Sequence, residues 1–365
     1  MKQIAIIGIQ GVPAQYGGFE SLVENIIGEN CSSDIHYTIF CSSKDYEERR
    51  TTYKGASLKY IPLHANGMQS TPYDIWSMLR AIRGYDVVVI LGVSGCLFLP
   101  VFRLLCWKRV IVNIDGLEHR REKWGRFAKW FLRQSEAMAV RCASVVVADN
   151  KAIQDYVRET YGKDSALIAY GGDHTQCQVP SERQETILKR YHLTRERYGL
   201  TVCRIEPENN CHLTLEAFAR SGKRLVFVGN WEHSAYGREL RSRYAAYPHI
   251  SMVDPVYDLS VLFALRNNCR YYLHGHSAGG TNPSLVEAMF FGKPILAYDV
   301  VYNRETTENR ADYFQTAEEL EKLLRDERWM AGKGEAMRTI AERRYRWATI
   351  ARQYEALYRG EMLEA

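Results

Sequence analysis

Short apolar runs recur along the first half of the chain, and segments with the periodicity of amphipathic helices separate most of them. Each run has the length of a strand, and most are rich in Val and Ile, as in strands buried on both faces of a sheet. Strands that alternate with helices predict a doubly wound, mostly parallel α/β sheet. The runs lie at residues 3–9, 35–41, 57–63, 86–92, 109–115, 144–150 and 166–172.

A polar stretch then interrupts the pattern, and the strand–helix rhythm restarts in the second half of the chain. The second set of apolar runs lies at 200–205, 224–229, 250–256, 270–275 and 294–299. Two Rossmann-like domains are therefore expected. We predict an N-terminal domain at 1–173, a linker or hinge at 174–198, a C-terminal domain at 199–345, and a last helix at 346–365 that crosses back to the N-terminal domain.

One segment, residues 86–107, is long and apolar enough to suggest a membrane span. Gly92, Ser94 and Gly95 break it with a turn, and the part that follows contains Pro100 and Arg103. A buried strand, a turn and a short apolar helix explain this composition better than a transmembrane helix.

The composition is that of a globular protein and excludes disordered and fibrous chains. Of the 365 residues, 46% are hydrophobic and 25% are charged. Its nine cysteines form no C-x-x-C pair, which argues against disulfides and structural zinc and for the reducing cytosol. His274 and His276 alternate at a strand end without a third ligand at suitable spacing, so no metal site is expected. A net charge of +5 is too small to indicate a nucleic-acid partner, and the N-terminus lacks the pattern of a signal peptide.

The loop after the first strand is rich in glycine but lacks the G-x-G-x-x-G spacing of a dinucleotide site. The second strand ends without an acid to bind a ribose hydroxyl, which disfavours a nicotinamide dehydrogenase. Gly17 and Gly18 precede a helix, where the backbone could approach a phosphate or a sugar closely. The alternative is a turn that needs a positive φ.

The segment HGHSAGGTNPSLVEAM at 274–289 is the most informative. Asn282 suits a helix N-cap, and Pro283 suits the first helical position. The backbone amides of Gly280, Thr281 and Asn282 would then form an anion cradle for a diphosphate. Glu287 lies one turn into the helix and could reach a ribose hydroxyl; alternatively it is a solvated carboxylate.

These segments carry a resemblance that extends over nearly the whole chain. They are IIGIQGVPAQYGGFE, VNIDGLEHRREKW, CRIEPENN, VGNW with Tyr236-Gly237, HGHSAGGTNPSLVEAM and WATIARQYEALY. The chain resembles the retaining glycosyltransferases of family 4, which have the GT-B fold of two Rossmann-like domains facing across a cleft. Within that family it looks like the bacterial polysaccharide β-1,4-rhamnosyltransferases.

The resemblance implies transfer of L-rhamnose from dTDP-rhamnose to a lipid-linked saccharide, with retention. No metal or other cofactor is expected, because no Asp-x-Asp follows a strand at the cleft and positive groups would replace the metal. Glu287 matches the family glutamate that holds the ribose, whereas Gly279 stands where a glutamate normally touches the donor sugar. Arg204 matches the phosphate-binding arginine, and Asn209 stands where a lysine is expected. Sugar recognition would then depend on backbone amides or on His276. The implied donor-binding residues are Gly17, Gly18, Arg204, Asn209, Gly280, Thr281, Asn282, Ser284 and Glu287.

Asp115 and Arg204 are the candidate catalytic residues. Asp115 matches a cleft position at which it could orient the acceptor or stabilise positive charge; the alternative is a cap of the turn at Gly116. Arg204 can place two hydrogen bonds on phosphate oxygens, or it could pair with Glu206 or Glu208.

Residues 118–141 interleave cations with aromatic residues at helical spacing. Such a helix suits the surface of an anionic membrane, and Arg120, Arg121, Lys123 and Trp124 are the candidate membrane or acceptor contacts. The alternative is a helix with aromatic residues in the core and solvated cations. We expect a cytoplasmic protein at the inner face of the membrane and no nucleic-acid partner.

Two other functions stay open from the sequence. One is a nucleotide-sugar epimerase or phosphorylase of the same architecture, which would turn over donor without a saccharide acceptor. The other is a catalytically idle partner that binds a sugar nucleotide, suggested by the missing glutamate and lysine.

Overall fold

The computed structural model describes residues 1–15, 17–120 and 124–361, except for the side chain of Arg120. The chain divides into two compact units. The first consists of Met1–Tyr170 and the segment from Trp347 onward, and the second is Gly171–Arg346.

The elements up to Tyr170 alternate between strand and helix. In chain order they are β1 (Lys2–Ile7), α1 (Gly18–Glu29), β2 (Ile35–Ser42), β3 (Thr52–Tyr53), β4 (Ala56–Ile61), α2 (Ser70–Arg80), β5 (Val87–Leu91), α3 (Leu99–Leu105), β6 (Arg109–Asn113), α4 (Arg126–Cys142), β7 (Val145–Ala148), α5 (Lys151–Tyr161) and β8 (Ala166–Leu167).

The remaining elements continue the alternation and end in helices. They are α6 (Ser181–Arg190), β9 (Gly199–Val202), α7 (Cys211–Ser221), β10 (Leu225–Val228), α8 (Ala235–Tyr244), β11 (Ile250–Val253), α9 (Leu259–Asn268), β12 (Tyr271–His274), α10 (Pro283–Met289), β13 (Ile295–Tyr298), α11 (Val301–Thr306), β14 (Asp312–Phe314), α12 (Ala317–Arg325), α13 (Lys333–Arg344) and α14 (Trp347–Arg359).

The first unit is built on an eight-stranded sheet in the order β3-β4-β2-β1-β5-β6-β7-β8. All neighbouring strands are parallel except β3 and β4. The strand order reverses between β1 and β5, which makes the carboxyl ends of these two strands the expected ligand-binding edge. All five residues of β5 are buried, as the continuous apolar run predicts.

The second unit contains a six-stranded parallel sheet in the order β11-β10-β9-β12-β13-β14. This is the Rossmann order, and the direction of winding changes between β9 and β12. The predicted α/β fold of two Rossmann-like domains is therefore confirmed.

The C-terminal helix α14 belongs to the first unit, where it packs against α1. Its apolar side chains, spaced about one turn apart, enter the core of that unit. They are Trp347, Ile350, Tyr354 and Tyr358.

Residues 86–107 form a strand, a turn and a short helix, as predicted. None of the helices in the described ranges is both long enough and apolar enough to cross a bilayer. Residues 118–141 are not one helix, because α4 begins only at Arg126.

The stretch predicted as a linker, 174–198, lies in the second unit and contains α6. Only Gln184, Ile187 and Leu188 of this helix are buried. The Oε1 atom of Gln184 accepts hydrogen bonds from the side chains of Asn267 (3.0 Å) and Asn268 (2.9 Å) at the end of α9. Because α6 buries so few residues, most of its sequence is polar, and residues 174–198 therefore resemble a linker in composition.

Candidate functional site

The loops after β9 and β12 are joined by hydrogen bonds at the point where the second sheet changes direction. The side chain of Asn210 donates to the carbonyl oxygen of Gly275 at 2.9 Å. The backbone N–H and the hydroxyl of Ser277 both donate to the carbonyl oxygen of Glu208, at 2.9 and 2.8 Å. Gly275 leaves no space between the loops, because a Cβ there would lie 2.2 Å from the carbonyl oxygen of Asn209.

Asn209 connects Arg204 with His276. Its Nδ2 donates to the carbonyl oxygen of Arg204 at 2.7 Å, and its Oδ1 contacts Nδ1 of His276. Because the carbonyl fixes Nδ2 as the donor, Oδ1 is an acceptor, and the proton of the imidazole is on Nδ1. Asn209 is buried, so the residue that replaces the expected lysine holds the site loops together.

The imidazole of His276 also faces Gly279. A Cβ on Gly279 would lie 3.3 Å from Nε2 of His276. The φ angle of Gly279 is +106°, a conformation that side-chain-bearing residues rarely adopt. At the position where the resemblance predicts a glutamate, the backbone therefore has a conformation that favours glycine, and His276 lies beside it.

Asn282 is the N-cap of α10, as predicted. Its Oδ1 accepts hydrogen bonds from the backbone N–H of Ser284 at 3.0 Å and from the Ser284 hydroxyl at 2.8 Å. Pro283 occupies the first helical position. Gly280 and Thr281 lie in the turn that leads into this cap.

Glu287 is held by two residues that sequence reasoning missed. Its Oε2 accepts a hydrogen bond from the Arg266 guanidinium, which is buried, and its Oε1 lies 3.6 Å from Nε2 of His174. The Glu287 side chain is only 18% exposed. The alternative interpretation as a freely solvated carboxylate does not fit this environment.

Arg204 follows β9 directly and is exposed. Its Nη2 lies 3.8 Å from Oε1 of Glu208, so one of the alternative pairings exists at long range. The Arg204 side chain is 42% exposed and that of Glu208 is 16% exposed.

His274 ends β12 and is buried. Burial lowers the pKa of its imidazole to about 3, so the ring is neutral at pH 7. Its Nε2 has no hydrogen-bond partner among the described residues.

In the first unit, Asp115 is fixed by a chain of hydrogen bonds that begins on α14. The hydroxyl of Tyr354 accepts from Nδ2 of Asn113 at 2.8 Å, and Oδ1 of Asn113 accepts from the backbone N–H of Asp115 at 3.0 Å. Asp115 has a φ of +56°, in the left-handed region that Asp tolerates better than most residues. The turn after β6 is thus tied to the C-terminal helix.

Gly17 and Gly18 also lie in the first unit, at the start of α1. Gly17 has a φ of +107°, and a Cβ there would lie 2.2 Å from Oε2 of Glu20. Glu20, which sequence reasoning did not single out, accepts a hydrogen bond from the N–H of Gln10 at 2.9 Å. Burial raises the pKa of the Glu20 carboxyl, and the negative charge of Asp115 raises it further.

Of the candidate membrane contacts, Arg121, Lys123 and the side chain of Arg120 lie outside the described residues. Trp124 is partly buried, and its indole N–H donates to Oε1 of Glu118 at 3.0 Å. Within the described ranges, no three His, Cys, Asp or Glu side chains form a group that could hold a metal ion.

Residues 1–173 match the family model described as a domain of unknown function, DUF1972. Residues 183–344 match the family model described as glycosyl transferases group 1. No curated protein matches the sequence.

Solved structures with the same fold cover nearly the whole chain. Sucrose-phosphate synthase from Thermosynechococcus elongatus is 18% identical with a TM-score of 0.81, over 99% of each chain. HepE from Anabaena in complex with UDP is 15% identical with a TM-score of 0.75, over 99% of this chain and all of that one. MnaA from S. aureus in complex with UDP is 14% identical with a TM-score of 0.65, over 100% of this chain and 98% of that one. The chain therefore has the two-domain fold of the GT-B glycosyltransferases.

Proposed function

We propose that this chain, whose residues 183–344 match the family model of glycosyl transferases group 1, transfers a sugar from a nucleoside diphosphate to a saccharide on a lipid carrier, with retention. The observation that carries the proposal is the pair of bonded loops after β9 and β12, where the winding of the second sheet changes direction. Ligands of such sheets bind at this edge. The complexes of HepE with UDP and with UDP-glucose support a nucleotide sugar as the donor.

The second unit would bind the donor. Arg204 and the backbone amides of Gly280, Thr281 and Asn282 would contact the diphosphate, and Glu287 would accept a hydrogen bond from the ribose. Arg266 and His174 hold the Glu287 carboxylate in place for that contact. One cation instead of the usual pair leaves more of the diphosphate charge to the backbone amides.

His276 would contact the donor sugar. The contact of Nδ1 with Oδ1 of Asn209 would orient the ring for this contact. Glycine at position 279 keeps the space beside Nε2 open. L-rhamnose is the proposed sugar because the chain resembles the rhamnosyltransferases and lacks the glutamate at position 279 that normally touches the donor sugar.

The first unit would bind the acceptor. Asp115, held by Asn113 and Tyr354, would orient the attacking hydroxyl or stabilise the oxocarbenium-like transition state. Gly17 and Gly18 would contribute to donor binding, because glycine allows the backbone to approach a phosphate or a sugar closely.

In the proposed reaction the bond between the sugar C1 and the diphosphate oxygen breaks while the acceptor hydroxyl attacks C1 from the same face and passes its proton to the departing phosphate oxygen. Negative charge then grows on the departing phosphate. Arg204 and the backbone amides stabilise that charge, which is the part of the reaction that a metal ion supplies in other enzymes.

The proposed acceptor places the protein at the cytoplasmic face of the membrane. Arg120, Arg121, Lys123 and Trp124 would lie near anionic headgroups, where each cation contributes about 1 kcal/mol at low salt.

The donor is tested by thermal unfolding with dTDP-rhamnose, UDP-sugars and GDP-sugars at equal concentration. We expect dTDP-rhamnose to raise the unfolding temperature most, since a ligand at 100 times its dissociation constant adds about 2.7 kcal/mol. A preference for GDP-sugars would contradict rhamnose transfer. Donor consumption without acceptor would indicate an epimerase or phosphorylase, and binding without any transfer would indicate an idle binding partner.

A further inference from the structure

Helix α3 has an apolar side that no part of the described chain covers. Its inner side is buried through Leu99 and Phe102. On the opposite side, Leu104 is 83% exposed, and Trp107, which follows the helix, is 95% exposed. Val101 is exposed on the same side. The apolar segment that resembles a membrane span is therefore apolar on both sides, and only one side is used by the fold.

The neighbouring helices extend this surface. Helix α2 packs on the turn at Cys96–Phe98 that leads into α3, and α3 packs along α4. Trp76 and Leu79 are exposed on α2, and Phe127 (75%) and Trp130 (57%) are exposed near the start of α4. We call the exposed apolar side chains of α2, α3 and α4, together with Leu97 and Trp107 beside α3, the outer apolar surface. Monomeric soluble proteins rarely expose so many large apolar groups on adjoining elements.

The exposed charged residues of α2, α3 and α4 all have the same sign. Asp74 and Glu136 are the acidic residues of α2, α3 and α4, all of which are described, and both are buried. The cations Arg80, Arg126 and Arg133 are exposed. Every charge that these three helices present to solvent is therefore positive.

We propose that the outer apolar surface docks on a lipid bilayer that contains anionic headgroups, with the α3 side chains inserted into the interface. Tryptophan is favoured at the boundary between headgroups and acyl chains, and cations beside an apolar face add attraction to anionic lipid. A second copy of the chain is a poorer occupant, because a symmetric contact would bring these cations against their own counterparts.

This inference rests on the proposed function and extends it. A surface of this kind would hold the enzyme at the membrane, where a lipid-linked acceptor is found. The cations proposed to approach the membrane at 120–124 would only attract the protein to anionic headgroups. The outer apolar surface would in addition insert apolar side chains into the bilayer interface.

The test is co-sedimentation of the full chain with vesicles, without donor or acceptor. We expect binding to vesicles of phosphatidylcholine with phosphatidylglycerol, and much weaker binding to phosphatidylcholine alone. The double substitution Leu104→Ser and Trp107→Ser should weaken binding at least tenfold. Both side chains are exposed, so the fold should be retained, which unchanged thermal unfolding would verify.

A matched control is Tyr257→Ser in the second unit, where the tyrosine is 74% exposed. This variant should bind vesicles like the wild type.

The charges are tested by the double substitution Arg126→Glu and Arg133→Glu. This variant should bind anionic vesicles less tightly than the wild type, and the difference should become smaller at high salt. Wild-type fluorescence should shift to the blue with anionic vesicles, and by less in Trp107→Phe.

Equal vesicle binding by the wild type and the Leu104/Trp107 variant would overturn the proposal, as would no vesicle binding by the wild type. A wild-type dimer in sedimentation velocity that this variant loses, without vesicle binding, would instead make the surface an interface between copies. Vesicle binding by a chain that transfers no sugar would contradict the proposed function and leave this inference intact.

Discussion

Glu287 is held by a buried guanidinium, and this contact determines which substitution tests its role. Glu287→Ala would leave Arg266 buried without a counter-charge, which costs about 3–5 kcal/mol of stability and would obscure any effect on binding. Glu287→Gln also removes the negative charge, but it keeps an oxygen that can accept a hydrogen bond from Arg266, so it should destabilise the fold less than Glu287→Ala.

We expect Glu287→Gln to weaken nucleotide binding by about 1.5–3 kcal/mol, the range for a hydrogen bond to a charged group, as measured by titration calorimetry. Glu318→Gln is the matched control, because Glu318 pairs with Arg220 at an exposed position on α12 and the substitution should leave nucleotide affinity unchanged. Normal nucleotide affinity in Glu287→Gln would place the ribose elsewhere.

His274 should make the fold sensitive to acid. Burial lowers the pKa of its imidazole from 6.5 to about 3, so below pH 6.5 the unfolded chain takes up a proton that the folded chain does not. This difference costs no stability above pH 6.5, and the cost grows as the pH falls toward 3. Between pH 7 and pH 5 it amounts to about 2 kcal/mol.

His274→Gln should lack this contribution, so its urea unfolding should depend less on pH than that of the wild type over the same interval. The same loss of stability in both proteins between pH 7 and pH 5 would show that His274 is not buried in its neutral form.

At the scale of the elements, the two site loops depend on a glycine at their contact. Gly275→Ala would place a Cβ 2.2 Å from the carbonyl oxygen of Asn209, so the loops after β9 and β12 must separate. We expect at least a tenfold loss of nucleotide affinity, about 1.4 kcal/mol or more, and faster hydrogen exchange in both loops. Gly125→Ala is the control, since a Cβ there meets nothing within 4 Å. Unchanged affinity in Gly275→Ala would mean that the contact does not shape the donor site.

The sequence predicts elements well where a single local pattern determines them. The continuous apolar run at 86–92 locates β5, because a strand buried on both faces needs no polar positions. Strands β3 and β14 were missed, since two or three residues are too short to show a period. The helix start at Asn282 and Pro283 was predicted because a cap is local chemistry.

The site contacts that sequence reasoning missed all join residues far apart in the chain. Arg266 and Glu287 are 21 positions apart, and Asn209 and His276 are 67 apart. Asn209 and His276 meet because the strands that precede them, β9 and β12, are neighbours in the sheet. Arg266 and Glu287 lie on α9 and α10, the helices before and after β12. A motif can show that Glu287 lies on a helix, but the partner that holds it follows from the packing of the fold.

At the scale of the whole molecule, each unit has its own sheet, parallel except for the pairing of β3 with β4, with a change of direction in its strand order. Most of the proposed donor residues lie in the second unit. The first carries Asp115 and the outer apolar surface, and α14 ties the Asp115 turn to the end of the chain through Tyr354. This division predicts that substitutions in the outer apolar surface leave nucleotide affinity unchanged.

The most direct test of the account is a transfer reaction with dTDP-rhamnose and a lipid-linked saccharide, with the anomeric configuration of the product determined by NMR. The account predicts that dTDP is released only when acceptor is present and that the new linkage has the configuration of the donor. It also predicts that Arg204→Gln lowers the transfer rate by about 10²–10³, the usual cost of removing one group that stabilises charge in the transition state. An inverted product, or donor consumption that does not depend on acceptor, would contradict it.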